Sequence, residues 1–146
     1  MNNLKFRAWD KMAKKMSKVT AIDFSTEPFR VFYKAYGNEN YFNKDVILMQ
    51  STGLFDKNGV EIFEGDIVEF PEVYVFFDFE EGLTGVDGFN IASVVKRGNY
   101  VTLDNFAGED GATERELENY KCTFDDLDFK NFEVIGNIYE NKELLR

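Results

Sequence analysis

Histidine is absent from all 146 residues, and Cys122 is the single cysteine. This removes the commonest general base, the commonest metal ligand and every Ser-His or Cys-His nucleophile pair. Zinc chemistry of the familiar kinds goes with them, since neither a cysteine cluster nor a histidine is there to hold the ion. Cys122 without a partner reads as a small buried residue rather than a nucleophile. Carboxylates remain. Asp125-Asp126-Leu127-Asp128 and Asp78-Phe79-Glu80-Glu81 place acids close together, and hard cations prefer oxygen ligands. An enzyme built on this chain would therefore do acid-base or magnesium chemistry, at Asp66 or at the Asp125 to Asp128 cluster. Neither acidic run has the glycine and terminal glutamate at the offsets of a calcium loop, so both read as solvated turns. Gly82, Gly85 and Gly88 do not follow a dinucleotide fingerprint, for no helix stands behind them. The expectation is no catalytic constellation, no metal and no cofactor.

Charge is the other chemical asset. The formal net charge is -10, yet the first twenty residues carry six basic side chains (Lys5, Arg7, Lys11, Lys14, Lys15, Lys18) against Asp10 alone. Between Lys57 and Lys96 there is no lysine or arginine, while Glu61, Glu64, Asp66, Glu69, Glu72, Asp78, Glu80, Glu81 and Asp87 fall there. Three readings compete. The acids keep an aromatic-rich protein in solution, or the basic head of one copy meets the acidic middle of another, or the acids face a basic partner protein. Glu61, Glu64, Glu69, Lys11, Lys14 and Lys15 are the residues expected at a partner surface. Nucleic-acid binding by the whole domain is disfavoured, because only the first twenty residues offer a net basic face. Aromatic side chains at strand spacing, Trp9 and Phe6 included, suit a core better than a base-stacking platform.

The elements that position these groups read as strands. Leu4, Phe6 and Ala8 alternate with Lys5, Arg7 and Trp9, the period of a half-buried strand. A charged turn over 10–15 then leads into a second extended segment over 16–22, predicting a hairpin. Residues 29–36 are dense in residues that favour pleated surfaces, with Gly37-Asn38 closing the strand. A strand over 45–50 follows a polar loop. Asn58-Gly59 and Glu64-Gly65-Asp66 supply two reversals before Ile67, Val68 and Phe70. Residues 73–79 read as a strand, 80–88 with three glycines as a flexible connection, and 90–96 and 99–103 as a hairpin about Arg97-Gly98. Residues 112–120 lean towards loop or strand, and Thr123 caps a short helical turn. The last strand runs over 132–139 with Gly136 at a bulge, and Asn141 caps a short terminal helix.

Length and composition suit one domain with a sizeable core, 44% of residues being hydrophobic and 16% aromatic. Many short strands with little helix predict a mainly β fold, a closed or nearly closed small barrel with extra strands. The lone cysteine fits a reducing cytoplasm. No run of about 18 apolar residues appears, and the N-terminus has no apolar stretch behind its charges, so neither a membrane span nor a signal peptide is expected.

Three blocks resemble the YopX family: Lys5-Phe6-Arg7-Ala8-Trp9-Asp10-Lys11 with Lys14-Lys15-Met16; Met49-Gln50 through Thr52-Gly53-Leu54, Asp56-Lys57-Asn58-Gly59, Glu61-Ile62 and Glu64-Gly65-Asp66-Ile67-Val68; and Val134-Ile135-Gly136-Asn137-Ile138-Tyr139-Glu140-Asn141 ending in Leu144-Leu145. They span the whole chain in order. Ser51 and Phe55 depart from the aromatic and lysine common there, Lys142 from the usual proline, and residues 71–131 are less family-like. The resemblance implies a phage or prophage protein of a bacterial host with no established activity, and a small SH3-like barrel. The expected layout is a single domain over 1–146, with 1–50 forming N-terminal strands and 51–146 the barrel portion. A homo-oligomer is implied as well. Of the matched polar residues, Arg7, Asp10, Gln50, Asp66 and Asn137 are the ones expected to make a shared site or a buried polar network. The function expected is a non-enzymatic module that binds a host or phage protein. The alternatives are a nucleic-acid-associated module using the basic N-terminal segment, and a carboxylate or magnesium-dependent enzyme.

Overall fold

The computed structural model describes residues 4–36, 39–43, 46–98, 100–105, 107 and 131–145, with positions 35–36, 39–43, 72–76, 86 and 100 described by backbone alone. The fold is mainly β, with antiparallel sheets and a short 3-10 helix, Lys142–Leu144, among the described residues. The chain forms two compact units, Met1–Gly53 and Leu54–Arg146.

In the first unit the strands are β1 (Phe6–Asp10), β2 (Lys15–Asp23), β3 (Arg30–Tyr36), β4 (Glu39–Asn43) and β5 (Val46–Phe55), in the order β4-β3-β2-β1-β5. The predicted hairpin is β1–β2, with Ala8 opposite Ser17 and Asp10 opposite Lys15. β5 pairs with the other edge of β1, placing Phe6 opposite Gln50 and Ala8 opposite Leu48. Paired residues project to the same face, so Phe6, Ala8, Asp10, Gln50, Leu48 and Val46 share one face. Ala8, Val31 and Tyr33 form the buried cluster there, with Val19, Val46 and Leu48 packed against it. Thr20 is the extra residue of a bulge in β2, between Val19↔Tyr33 and Ala21↔Phe32. Its hydroxyl donates to the Phe32 carbonyl at 3.1 Å. β4 falls where the sequence reading had a polar loop: Glu39-Asn40-Tyr41-Phe42-Asn43 has few aliphatic residues, and its pairing with β3 defines it.

The second unit takes in the end of β5 and adds β6 (Glu61–Phe63), β7 (Asp66–Asp78), β8 (Gly82–Arg97), β9 (Tyr100–Asp104) and β10 (Glu133–Asn137). The order in its four-stranded sheet is β10-β7-β8-β9. Among the described residues the strands form no closed barrel. Ile62, Val68, Phe70, Ala92, Val94, Leu103 and Phe132 make the core, with Phe70 and Phe132 edge to face at 5.1 Å. A fully buried isoleucine or valine of this kind contributes about 1.5–3 kcal/mol relative to an exposed one.

Of the flexible connection expected over 80–88, only Glu80 and Glu81 are turn, and residues 82–88 are instead strand. β8 starts at Gly82, and Gly85 and Gly88 lie inside the ladder opposite Val75 and Glu72. β10 partners β7 only along residues 66–69 and β9 partners β8 only along 93–97, while the β7–β8 pairs continue to Asp78↔Gly82. Among the described residues the outer seven pairs, from Glu72↔Gly88, make a two-stranded ribbon about 20 Å long at ~3.3 Å per residue.

Gly65 and Gly136 are required for different reasons. Gly65 is buried at φ 86°, in the left-handed region that glycine adopts without a steric cost. Its N–H donates to Val94 and its carbonyl accepts from Ile138, both at 2.9 Å. The bulge foreseen at Gly136 is present, with Ile135 the extra residue between Val134↔Val68 and Gly136↔Ile67. A Cβ at Gly136 would lie 2.5 Å from Asn141 Oδ1. Asn141 precedes the 3-10 helix Lys142–Leu144 without capping it through its side chain, and its Oδ1 accepts the Asn137 N–H at 3.2 Å instead.

Gly136→Ala is expected to lower stability by about 1–3 kcal/mol through overpacking, and Asn141→Ala in the same chain to return part of that loss, since the two positions share the contact. Urea unfolding of the two single variants and the double variant measures the coupling. Strict additivity would contradict the close approach.

Candidate functional site

Asp10 ends β1, and its carboxylate is buried at the β1–β2 turn. Oδ1 accepts the N–H groups of Met12 and Ala13, each at 3.0 Å, which organises the turn. Oδ2 accepts the Tyr33 hydroxyl at 2.7 Å, fastening β3 to the end of β1 across β2. A buried carboxylate needs such donors, because an unmatched one carries its full desolvation penalty. Gln50 shares the face of Asp10 but lies four residues away along the ladder, about 13 Å at ~3.3 Å per residue. Arg7, opposite Met49, projects from the other face. In the first unit the expected set is thus split by the pleat.

In the second unit Asp66 and Asn137 are cross-strand partners on β7 and β10, both buried. Asp66 Oδ2 accepts the Phe63 N–H at 2.7 Å, closing the Glu64-Gly65 reversal. Asn137 Oδ1 accepts the N–H groups of Tyr139 and Glu140 at 3.0 and 2.9 Å, closing the turn after β10. Both act as acceptors for backbone of their own turns.

Asp56, which enters the sequence reading only within the family-matched block, has a carboxylate held by three N–H groups. Oδ1 accepts from Asn58 and Val60, each at 2.8 Å, and Oδ2 from Val134 at 2.9 Å, 78 residues along the chain. Burial alone would raise its pKa. The N–H donors of Val134, Val60 and Asn58, helped by the Lys57 charge, outweigh that and hold it below the ordinary value of 3.8. The Lys57 N–H donates to the Phe132 carbonyl at 2.8 Å, Lys57 Nζ lies 3.1 Å from Glu133, and Asn58 Nδ2 donates to Glu133 at 3.4 Å. The lysine also offsets a like-charge contact, because Glu133 stands opposite Glu69. Asp23, a half-buried residue on β2, is likewise held below 3.8, by the Ser25 hydroxyl and N–H and by Arg30 at 3.4 Å.

Of the residues expected at a partner surface, Lys11, Lys14 and Lys15 are exposed at the β1–β2 turn, Lys14 with a left-handed φ of 52°. Glu61, Glu64 and Glu69 are only half-buried, on β6, the β6–β7 turn and β7. The more exposed acids, Glu80 and Glu81, are at the tip of the ribbon, where Asp78 Oδ1 accepts their N–H groups at 2.7 and 3.1 Å. Beside them Phe77, Phe79 and Leu83 are exposed. The sequence signal for this tip was Phe-Phe-Asp-Phe-Glu-Glu-Gly-Leu, read there as strand end and loop.

A depression of about 660 Å³, open to solvent, is lined by Phe24, Ser25, Thr26, Glu27, Pro28 and Phe29 of the β2–β3 loop, with the two phenylalanine rings 5.6 Å apart. It gathers no convergent set of titratable groups. Among the described residues no three His, Cys, Asp or Glu side chains group as for a metal ion, and no helix is long and apolar enough to cross a membrane. Cys122, the Asp125 to Asp128 cluster, the stretch 112–120 and the Thr123 cap lie outside the described residues.

Asp56→Ala is expected to cost about 2–4 kcal/mol, since it strips acceptors from three partly buried N–H groups, and Asp56→Asn about 1–2 kcal/mol. With its folded pKa below 3.8, Asp56 stabilises the protein above that pH, and the contribution is lost as pH falls below 3.8 through the folded value. Unfolding followed from pH 7 to 3 should show the gap between wild type and Asp56→Asn narrowing only at the acid end. A gap independent of pH would contradict the role of the charge.

The protein-family model described as YopX protein matches residues 5–146. Among solved structures, the crystal structure of protein EF1440 from Enterococcus faecalis is similar, at 25% sequence identity and a TM-score of 0.57, covering 100% of both chains. No curated protein matches. Neither description carries an activity. The match runs through β1, the Asp56 turn, the Gly65 reversal and the Gly136 bulge, and on it the chain belongs to the YopX family.

Proposed function

We propose that this protein is a non-enzymatic binding module of phage or prophage origin, acting in the cytoplasm of a bacterial host on a host or phage protein. The observation that carries this reading is the ribbon tip, where Phe77, Phe79 and Leu83 are exposed among Asp78, Glu80 and Glu81. Contiguous exposed apolar groups rimmed by charge mark interaction surfaces on soluble proteins. The buried carboxylates point the same way. Asp10, Asp56 and Asp66 are engaged by backbone N–H groups or a tyrosine hydroxyl, so we read the matched polar residues as a structural network. Within this proposal the second unit is an opened relative of small SH3-like barrels, its short β6 set between two tight reversals. Residues 1–146 then work as one functional domain, with the ribbon tip rather than Glu61, Glu64 and Glu69 as its binding surface, since Glu69 lies nine residues down β7 from Asp78.

Affinity capture with the full chain from lysate of phage-infected bacteria tests the reading. A polypeptide retained by wild type and lost with Phe79→Ser/Leu83→Ser is expected. Retention of nothing, or of the same polypeptides by both proteins, would overturn it.

A second reading, nucleic-acid association, is favoured by the exposure of Lys11, Lys14, Lys15 and Lys18 on one hairpin. It predicts binding to DNA or RNA at low salt whose log affinity falls with log salt concentration. Absence of any salt-sensitive binding removes it.

A further inference from the structure

The ribbon tip and the β1–β2 turn are complementary in two respects. The tip is acidic, with Asp78, Glu80 and Glu81, and lies in a stretch from 58 to 95 without a lysine or arginine. The turn is basic, with exposed Lys11, Lys14, Lys15 and Lys18. Each also holds up apolar side chains that a solvated charge surface has no use for. Phe79 is 97% exposed, Leu83 78% and Phe77 64% at the tip, and Met12 is 82% exposed in the turn. Phe77 stands opposite Leu83, so the two share a face, and the Phe77 and Phe79 rings meet edge to face at 5.6 Å. The tip thus presents three apolar groups as one surface. Methionine, unbranched and polarisable, adapts to aromatic rings and packs well on their edges.

We propose that the β7–β8 tip of one copy of this chain docks on the β1–β2 turn of a second copy, with Met12 against Phe77, Phe79 and Leu83 and the turn lysines against Glu80, Glu81 and Asp78. Tip-to-tip association is opposed by the like charges, and turn-to-turn association equally so; only the mixed contact pairs opposite signs. The contact uses different surfaces on the two copies, so it repeats into closed rings or open chains according to the rotation it imposes. The facing groups are few, which places one such contact below the ~1,200 Å² of a standard interface. The association is therefore concentration-dependent and sensitive to salt. This inference rests on the same reading of the tip as a binding surface and names its occupant.

Sedimentation velocity of the full chain over a concentration series decides it. Self-association is expected at ~50 mM salt and its loss at ~1 M, where screening reaches within about 3 Å. Phe79→Ser/Leu83→Ser should abolish it. Lys11→Glu/Lys15→Glu should weaken it at least about tenfold, as should Glu80→Lys/Glu81→Lys, through like-charge repulsion. The chain carrying both charge reversals should associate again, a recovery that misfolding could not produce. A monomer at every concentration in low salt overturns the proposal, as does association untouched by the three variants or a combined variant no better than its parents. A monomer that still captures a bacterial protein through the tip removes this inference and leaves the binding-module reading in place; an oligomer that captures nothing does the reverse.

Discussion

A single buried carboxylate ties the β5–β6 turn of the second unit to β10. Asp56 accepts from the two ends of its own turn and from Val134, so one side chain both shapes the β5–β6 reversal and fixes where the chain returns as β10. Everything downstream of that return depends on its position. Phe132 enters the core against Phe70, Asn137 comes opposite Asp66, and Gly136 is brought under Asn141. Bringing residues 78 apart into contact costs loop-closure entropy that grows only slowly with length, so a few well-made charge-assisted hydrogen bonds are a proportionate answer.

The same device recurs at smaller scale. Asp10, Asp66, Asp78 and Asn137 each accept backbone N–H groups of an adjacent turn. Turns are where a β protein leaves backbone donors without ladder partners, and Asx side chains supply acceptors there. The family's shared polar residues then have a physical reason to be polar that requires no substrate. Asp10 adds the Tyr33 hydroxyl, which ties β3 to the β1–β2 turn.

How much of this the sequence discloses depends on the range of the interaction. Alternation in β1, the Asn58-Gly59 and Gly65 reversals and the Gly136 bulge are local signals, and each has its structural counterpart. β4 was missed because Glu39, Asn40 and Asn43 surround its two aromatic residues with loop-favouring side chains, and the β3 edge makes them a strand. The ribbon was cut short because Gly85 and Gly88 weaken a strand on propensity, while a partner strand thirteen residues long overrides it. Asn141 looked like a helix cap, but the Gly136 backbone beneath it draws its side chain to Asn137. The Val134 partner of Asp56 has no local signature, whereas the split of Arg7 from Asp10 follows from the side-chain period of two that the alternation in β1 already displays.

The central claim is that the ionised Asp56 carboxylate, held by three N–H groups, anchors β10. The most direct measurement is an NMR titration of the Asp56 side-chain carboxyl carbon together with exchange rates of the Asn58, Val60 and Val134 amides. The account predicts a midpoint below 3.8 and amides protected while the carboxylate is charged, with the Val134 amide losing protection as the group protonates. A midpoint at or above 3.8, or a Val134 amide whose exchange ignores the titration, would contradict it.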